Sequence, residues 1–364
     1  MVGWVHVALT TAAIAAGVLL LAALHYATWM RRLRAPLPYD LHETLTLPDG
    51  VRCELRRLLP RGPALSPPVL LVHGIAINHR NMDISERTSL ARTLRDKGHD
   101  VWLLTLRSGL PDPRLLERRR TTFSAMVAHD LPVTVAEVCR RSGAAQVDYV
   151  GFSMGGMLLY AALGRSVPVA AIRKVAIIGS PGRVRIPIPL LSKLRGLPVW
   201  LAPPFPFRMP GRMVAFASEW LHTPIHRLPY NPANVAPGTT RTTLINAICD
   251  VPAALNREMG RWALSDGQIR VNGARSLDAL AEVRTPVRFF AGVGDRLAPP
   301  SSVQAACDAW GSAHPDVDKA LSVIGLAHGH AADYGHGDLA LGAYAATDVF
   351  APIADFLAGS PSAP

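Results

Sequence analysis

Four cysteines in 364 residues, Cys53, Cys139, Cys249 and Cys307, are too scattered for a disulfide framework, and no C-x-x-C pair stands ready for zinc. They read as buried thiols of a reducing compartment. Aromatics make up only 6% and do not interleave with the basic clusters, so nucleic-acid binding has no support. Acidic residues are outnumbered by basic ones, 27 to 38, which leaves a net charge of +11. Part of that excess lies in Arg31, Arg32 and Arg34 and part in Arg114–Arg120. Anionic lipid headgroups suit either cluster, although a solvated arginine face is the commoner explanation of the second. There is no internal repeat, no low-complexity tract and no motif for a cofactor or a metal.

Hydrophobic residues reach 49%, and they concentrate at the N-terminus. Val7 to Leu24 contains no charge and no strong breaker except Gly17. Eighteen helical residues span roughly 27 Å, close to the hydrocarbon thickness of a bilayer. Trp4, Tyr26 and Trp29 suit the two interfaces, and the arginines that follow place the C-terminal side in the cytoplasm by the positive-inside rule. A cleaved signal peptide is the rival reading, but no basic n-region precedes the apolar run and no A-x-A site ends it. One retained transmembrane anchor over residues 1–30 is expected, followed by a basic, proline-containing linker over 31–41.

Downstream the pattern is that of an α/β protein. Glu43–Leu47 and Val51–Leu58 read as a hairpin around Pro48-Asp49-Gly50. The apolar run from Pro68, ending as a strand at His73-Gly74, together with Asp100–Thr105, Val147–Phe152, Lys174–Gly179, Val287–Ala291 and Ala320–Ile324, reads as buried parallel strands. Helices over Ser85–Lys97, over Asp130–Arg141 with Asp130 as its cap, and after the glycines at 155 and 156 supply the crossovers. A last amphipathic helix carries Val349, Phe350, Ile353, Phe356 and Leu357, with Pro352 as a kink. Between Gly182 and Val283 the alternation stops. That stretch is rich in proline and aromatics (Trp200, Phe205, Phe207, Phe216, Trp220), with helical stretches around 240–248 and 253–265. It is expected to be a cap, residues 183–283, inserted between core segments 42–182 and 284–358 and lying over the sheet edge where α/β proteins bind ligands. Packing of the cap onto the core explains such residues as well as an apolar substrate does. Residues 359–364 read as a disordered tail.

The chemistry points to Gly151-Phe152-Ser153-Met154-Gly155. A strand precedes it and a helix follows it, the context of a nucleophile elbow, in which a serine sits on a turn too tight for side chains two residues away. A serine needs a base, and the base needs an acid to orient it, in the chain order serine, acid, histidine. Asp295 follows the strand Val287–Ala291 and is the candidate acid; a turn-forming Asp is the ordinary alternative. The loop after Ala320–Ile324 holds His328, His330 and His336, among which spacing alone slightly favours the nearer pair. Met154 and Ile75 would supply backbone N–H groups for an oxyanion hole. His73 is read as a residue that fixes its loop by hydrogen bonds.

Taken together, Val69–Ile75, Gly98–Leu103 with Arg107, Asp130-Leu-Pro132, Gly151–Gly155, Gly294-Asp295 and Tyr334-Gly-His336-x-Asp338 resemble the α/β-hydrolases of the acid-lipase and steryl-ester-hydrolase type. The resemblance runs from about Glu43 to Leu357 and is loose in the cap. It implies that His336, in an H-x-D segment, is the triad histidine, and that lipophilic esters are cleaved through an acyl-enzyme on Ser153 with Asp295 orienting the imidazole. It departs at Met154, where those lipases often carry glutamine; a backbone donor tolerates that change. The expected protein is a membrane-anchored serine hydrolase of apolar or lipidic esters with no cofactor. The alternatives are an acyltransferase using the same acyl-enzyme and a non-catalytic binding protein on the hydrolase fold.

Overall fold

The computed structural model of the chain describes residues 2–185, 202–220 and 228–359. Eight strands form one sheet in the order β1-β2-β4-β3-β5-β6-β9-β10. They are β1 Leu41–Thr46, β2 Arg52–Leu58, β3 Leu65–Val72, β4 His99–Thr105, β5 Val147–Phe152, β6 Ile172–Ile178, β9 Val287–Gly292 and β10 Lys319–Ile324. A separate hairpin pairs β7 Arg270–Val271 with β8 Ala274–Arg275. β1 pairs antiparallel with β2 across the anticipated turn, and β2 pairs antiparallel with β4. All other neighbours in the large sheet are parallel. The register of β3 against β4 shifts between Leu65 and Val69, where Pro67 and Pro68 have no N–H to give to a ladder.

Side chains alternate across the sheet into two cores. Leu70, Val72, Trp102 and Tyr149 pack on one face, and Val69, Leu71, Val101, Leu103 and Val150 on the other. Both faces are covered, which explains why these strands read as unbroken apolar runs. β3 lies between β4 and β5, so the loops leaving β3 and β5 diverge from a point where the strand order reverses, the usual place for a ligand crevice in an open α/β sheet.

Three local expectations are corrected. The helix expected from Ser85 starts only at Leu90 and runs to Asp96, because the Ser89 side chain accepts from the N–H of Arg92 and caps it there. Asp130 is not an N-cap. Its backbone is helical, following a helical turn at Phe123–Ala125 and a wider turn at Met126–Asp130, and its carboxylate is held by Arg107 instead. Pro352 lies in the first turn of Ala351–Ala358, and the break it causes takes the form of a wide turn at Ala346–Phe350 just before it.

Among the described residues, 183–283 add no strand to the large sheet. They contain the expected helices, Thr239–Asn246 and Ala253–Leu264, and one that was not anticipated, Arg208–Val214. Trp262 is buried against Phe123, ring centroids 5.0 Å apart, whereas Phe205, Phe207 and Trp220 are exposed, so packing onto the core does not account for all the aromatics. Trp200 and residues 360–364 lie outside the described residues. The four cysteines are free, and all but Cys139 are buried. Helix Val2–Leu33 is long and apolar enough to cross a membrane, and none of its apolar window is buried.

Candidate active site

Ser153 stands between β5 and the helix Met154–Ala162 with φ +51°, a conformation rare for a residue with a side chain. The turn is kept tight by contacts that exclude side chains. A Cβ on Gly151 would lie 2.6 Å from the backbone N of Gly156, and one on Gly155 would lie 2.2 Å from the carbonyl oxygen of Val72. Gly156 is equally constrained, since its Cβ would fall 2.2 Å from Ser180 Oγ. The motif is thus two adjacent glycines deep, a requirement that a bare G-x-S-x-G pattern does not express.

The chain brings the other two candidates to this serine. His336 Nδ1 lies 2.7 Å from Asp295 Oδ2, and its Nε2 lies 2.9 Å from Ser153 Oγ. With Nδ1–H donating to the carboxylate, Nε2 is left to accept from the serine hydroxyl. The other carboxylate oxygen of Asp295 accepts the N–H groups of Leu297 and Ala298 at 2.8 and 2.7 Å, which aims the side chain. Ser153, Asp295 and His336 are all buried, and the ring of Phe152 lies 5.1 Å from that of His336. His330 is turned away to the backbone of Gly325, and His328 is exposed.

The chain around His336 is held by the segment Pro229–Asn234. Asp338 is buried and accepts from the N–H groups of Gly335 and Asn231 and from the Asn234 amide, at 3.0, 3.1 and 2.9 Å. Gly337 N–H donates to the carbonyl of Pro229 at 2.5 Å. Asn231 and Asn234, which no motif marked, therefore fix both flanks of the histidine from a segment more than 100 residues away.

Met154 is the first residue of the elbow helix, so its N–H has no intrahelical acceptor. Gly74 abuts the nucleophile, since a Cβ there would lie 3.1 Å from Ser153 Cβ, and this puts Ile75 in the loop next to the serine. That loop is clamped by Cys249 N–H to Ala76 O at 2.7 Å and Asn78 N–H to Ala247 O at 3.0 Å. His73 is fully buried with Nδ1 2.8 Å from Gly74 O, while Nε2 accepts from the N–H of Leu106. Burial brings its pKa down to about 4, so it stays neutral and holds the loop. A cavity of about 450 Å³ lined by Arg183, Gln268, Arg275 and Asp278 includes none of the site residues.

A sheet with this strand order, a strained serine at the end of its central strand and a histidine between that serine and a carboxylate define a hydrolase of the α/β type. The family model described as alpha/beta hydrolase fold matches residues 67–317, and the chain belongs to that family. Among curated proteins it is similar to the gastric triacylglycerol lipase of Homo sapiens, 29% identical over 176 residues, 44% of each chain. It is also similar to lipase member K of Mus musculus, 28% identical over 151 residues, 36% of each. The matches thus span less than half the length of these relatives. Among solved structures, a thermophilic esterase from Thermogutta terrifontis aligns with a TM-score of 0.54 at 19% identity, over 87% of this chain and 98% of its own. A membrane phospholipase A, described as a bacterial virulence factor, aligns with a TM-score of 0.55 at 16% identity, over 99% of this chain and all of its own. At these identities the structural likeness establishes the fold.

Proposed function

We propose that the protein is a membrane-anchored serine hydrolase that cleaves carboxylic esters of apolar or lipidic substrates. The observation that carries the proposal is the unbroken hydrogen-bond chain from Ser153 through His336 to Asp295. His336 takes the proton of Ser153 as Oγ attacks the ester carbonyl, and Asp295 stabilises the imidazolium that forms. Charge that develops on the carbonyl oxygen meets the N–H groups of Met154 and Ile75. His336 then returns the proton to the leaving alcohol, and water repeats the sequence on the acyl-enzyme. The lipase relatives support an apolar acyl substrate. The retained anchor is supported by the contacts that the last turns of helix Val2–Leu33 make with the cap, since cleavage of the helix would strip them. In the proposed arrangement 183–283 form a cap inserted between core segments 42–182 and 284–358.

Turnover of p-nitrophenyl esters of increasing acyl length, with a fluorophosphonate probe alongside, tests the reading. Labelling with turnover that rises from acetyl to longer acyl chains is expected; a wild-type chain that neither labels nor turns over would sink it. Water and alcohol in competition as acceptors would expose an acyltransferase. The hold on His336 gives a further expectation. Asp338→Ala leaves the N–H groups of Gly335 and Asn231 without their acceptor, and a misplacement of the imidazole by about 1 Å is expected to lower kcat about 10²-fold with KM little changed. Asp338→Asn, which keeps an acceptor oxygen, is expected to recover part of that loss in the same assay.

A further inference from the structure

Helix Val2–Leu33 is exposed over its first two thirds, but from Ala22 onward a stripe at helical spacing (Ala22, His25, Tyr26, Trp29, Met30, Leu33) is partly buried. The cap covers it. His25 Nε2 lies 3.1 Å from the carbonyl of Met213, Tyr26 Oη accepts from Arg212 at 3.2 Å, and Trp29 stacks on Phe216 with centroids 5.6 Å apart. Asn246 closes the end of the helix, donating to Leu33 O at 3.1 Å and accepting from the N–H of Ala35 at 3.0 Å. The helix and the segment Arg208–Ala217 are therefore one packed unit.

That packing fixes a depth. Polar His25 and the amphipathic rings of Tyr26 and Trp29 lie between the apolar run ending at Leu24 and the first fixed charge, Arg31, so on the reading that the helix spans a bilayer they occupy the headgroup boundary. The cap residues packed on them occupy the same level. At that level the cap leaves large apolar side chains in the open: Phe205 is 42% exposed, Phe207 44%, Val214 48% and Met209 66%. Such a cluster is a liability in water and a contact surface beside lipid. The exposed arginines Arg31 and Arg32 supply the positive charge that anionic headgroups attract, and Arg32 lies over the Trp29 ring at 5.7 Å.

The stretch from Phe205 to Ala217, through the chain at 248–251 that pairs with it, adjoins the loop beside the site. Phe205 exchanges both backbone hydrogen bonds with Val251 at 2.9 Å, Arg208 donates to Leu110 O at 2.8 Å, and Ile248 bridges to Ile77 beside the loop that holds Ile75. We infer that the apolar rim Phe205, Phe207, Met209 and Val214 enters the surface of the bilayer that the N-terminal helix spans, and that the ester reaches Ser153 from that lipid surface. The inference rests on the spanning helix and on Ser153 as nucleophile.

The test uses the full chain in phosphatidylcholine vesicles carrying phosphatidylglycerol. An environment-sensitive fluorophore is placed at Met209→Cys or Val214→Cys in a Cys139→Ser background, the other native thiols being buried. The comparison site is exposed Leu59→Cys, just past β2, whose last residue pairs with Val101 near the start of β4, at the end of the sheet away from Ser153. Lipids with a quencher high on the acyl chain are expected to quench Met209→Cys and Val214→Cys strongly and Leu59→Cys little. Equal quenching at all three overturns the inference. Because quenching is read equally well in Ser153→Ala, it stands or falls apart from the ester chemistry, and alkaline extraction reports separately whether the helix is integral. In the second arm, Phe207→Asp with Met209→Asp is expected to slow turnover of a vesicle-embedded ester about tenfold, the scale of lost apolar burial, with a short water-soluble ester unchanged. Unchanged turnover of the embedded ester also overturns it.

Discussion

Ser153→Ala is expected to abolish fluorophosphonate labelling and to lower kcat for ester hydrolysis by about a million-fold, and His336→Ala to do nearly the same. The two side chains act on one proton. Without Oγ there is nothing to attack the carbonyl, and without Nε2 at 2.9 Å the hydroxyl keeps its proton near neutral pH. Groups that act as a unit are not additive, so the double variant is expected to be no slower than either single one. What survives is the part owed to binding and to the N–H groups proposed for the oxyanion hole, Met154 and Ile75, of order 10³-fold over water. His330→Ala separates this from a general effect of disturbing the loop. Half-buried His330 hydrogen-bonds the backbone of Gly325 at 3.3 Å and does not reach Ser153 or Asp295, and its loss is expected to leave kcat within about twofold. Stopped assays on purified variants, with far-ultraviolet circular dichroism to confirm folding, measure all four. A His336→Ala variant that retained turnover while His330→Ala lost it would overturn the assignment of the base.

How much of this site could be read from the sequence follows from how local each signal is. Ser153 announces itself because its constraints are backbone constraints, glycines within three residues on a strand-to-helix turn. Asp295 was legible from its place after an apolar strand, a local pattern again. His336 was not separable by spacing from His328 and His330. Only the family resemblance favoured it, because what brings it to Ser153 is the clamp of Pro229, Asn231 and Asn234 on Gly335–Asp338, a contact between distant segments. The helix Arg208–Val214 was hidden for a similar reason. Pro210 and Gly211 are poor helix formers, and the helix is secured by the Asp250 side chain accepting from Arg208 N–H at 2.8 Å and by the N-terminal helix packed beside it. Val2–Leu33 was plain as an apolar run, but its docking on the segment Arg208–Ala217 was not, because nothing local marks His25 and Trp29 as packed until Met213 and Phe216 are placed against them.

Asp130 shows the same limit and leads to the largest expected loss of stability. Before a helical run it reads as a cap, yet its buried carboxylate takes Arg107 Nε at 2.6 Å and the Arg107 N–H at 3.0 Å. Arg107 is itself buried and continues to Asp49 at 2.5 Å and to the carbonyl of Arg120 at 3.1 Å. Burial pushes the Asp130 carboxyl up to about 6, against the pull of the Arg107 charge and its hydrogen bonds. Arg107→Ala removes that pull and strands a carboxylate in the core, so a loss of about 3–5 kcal/mol is expected, measured by urea denaturation at neutral pH. The pH dependence has a definite sign. An acid whose folded pKa lies above its unfolded value holds more protons when folded, so its contribution falls as pH rises between the two values. In the wild type that window runs from near 4 to about 6. In Arg107→Ala it extends upward, so the deficit relative to wild type is expected to shrink as the pH is lowered from neutral toward 5. Arg107→Met combined with Asp130→Leu removes both charges and is expected to recover most of the loss, because an apolar pair of similar volume replaces a buried ion pair at little cost. If the single and double variants were equally unstable, packing of the arginine stem, and not the stranded charge, would be the cause.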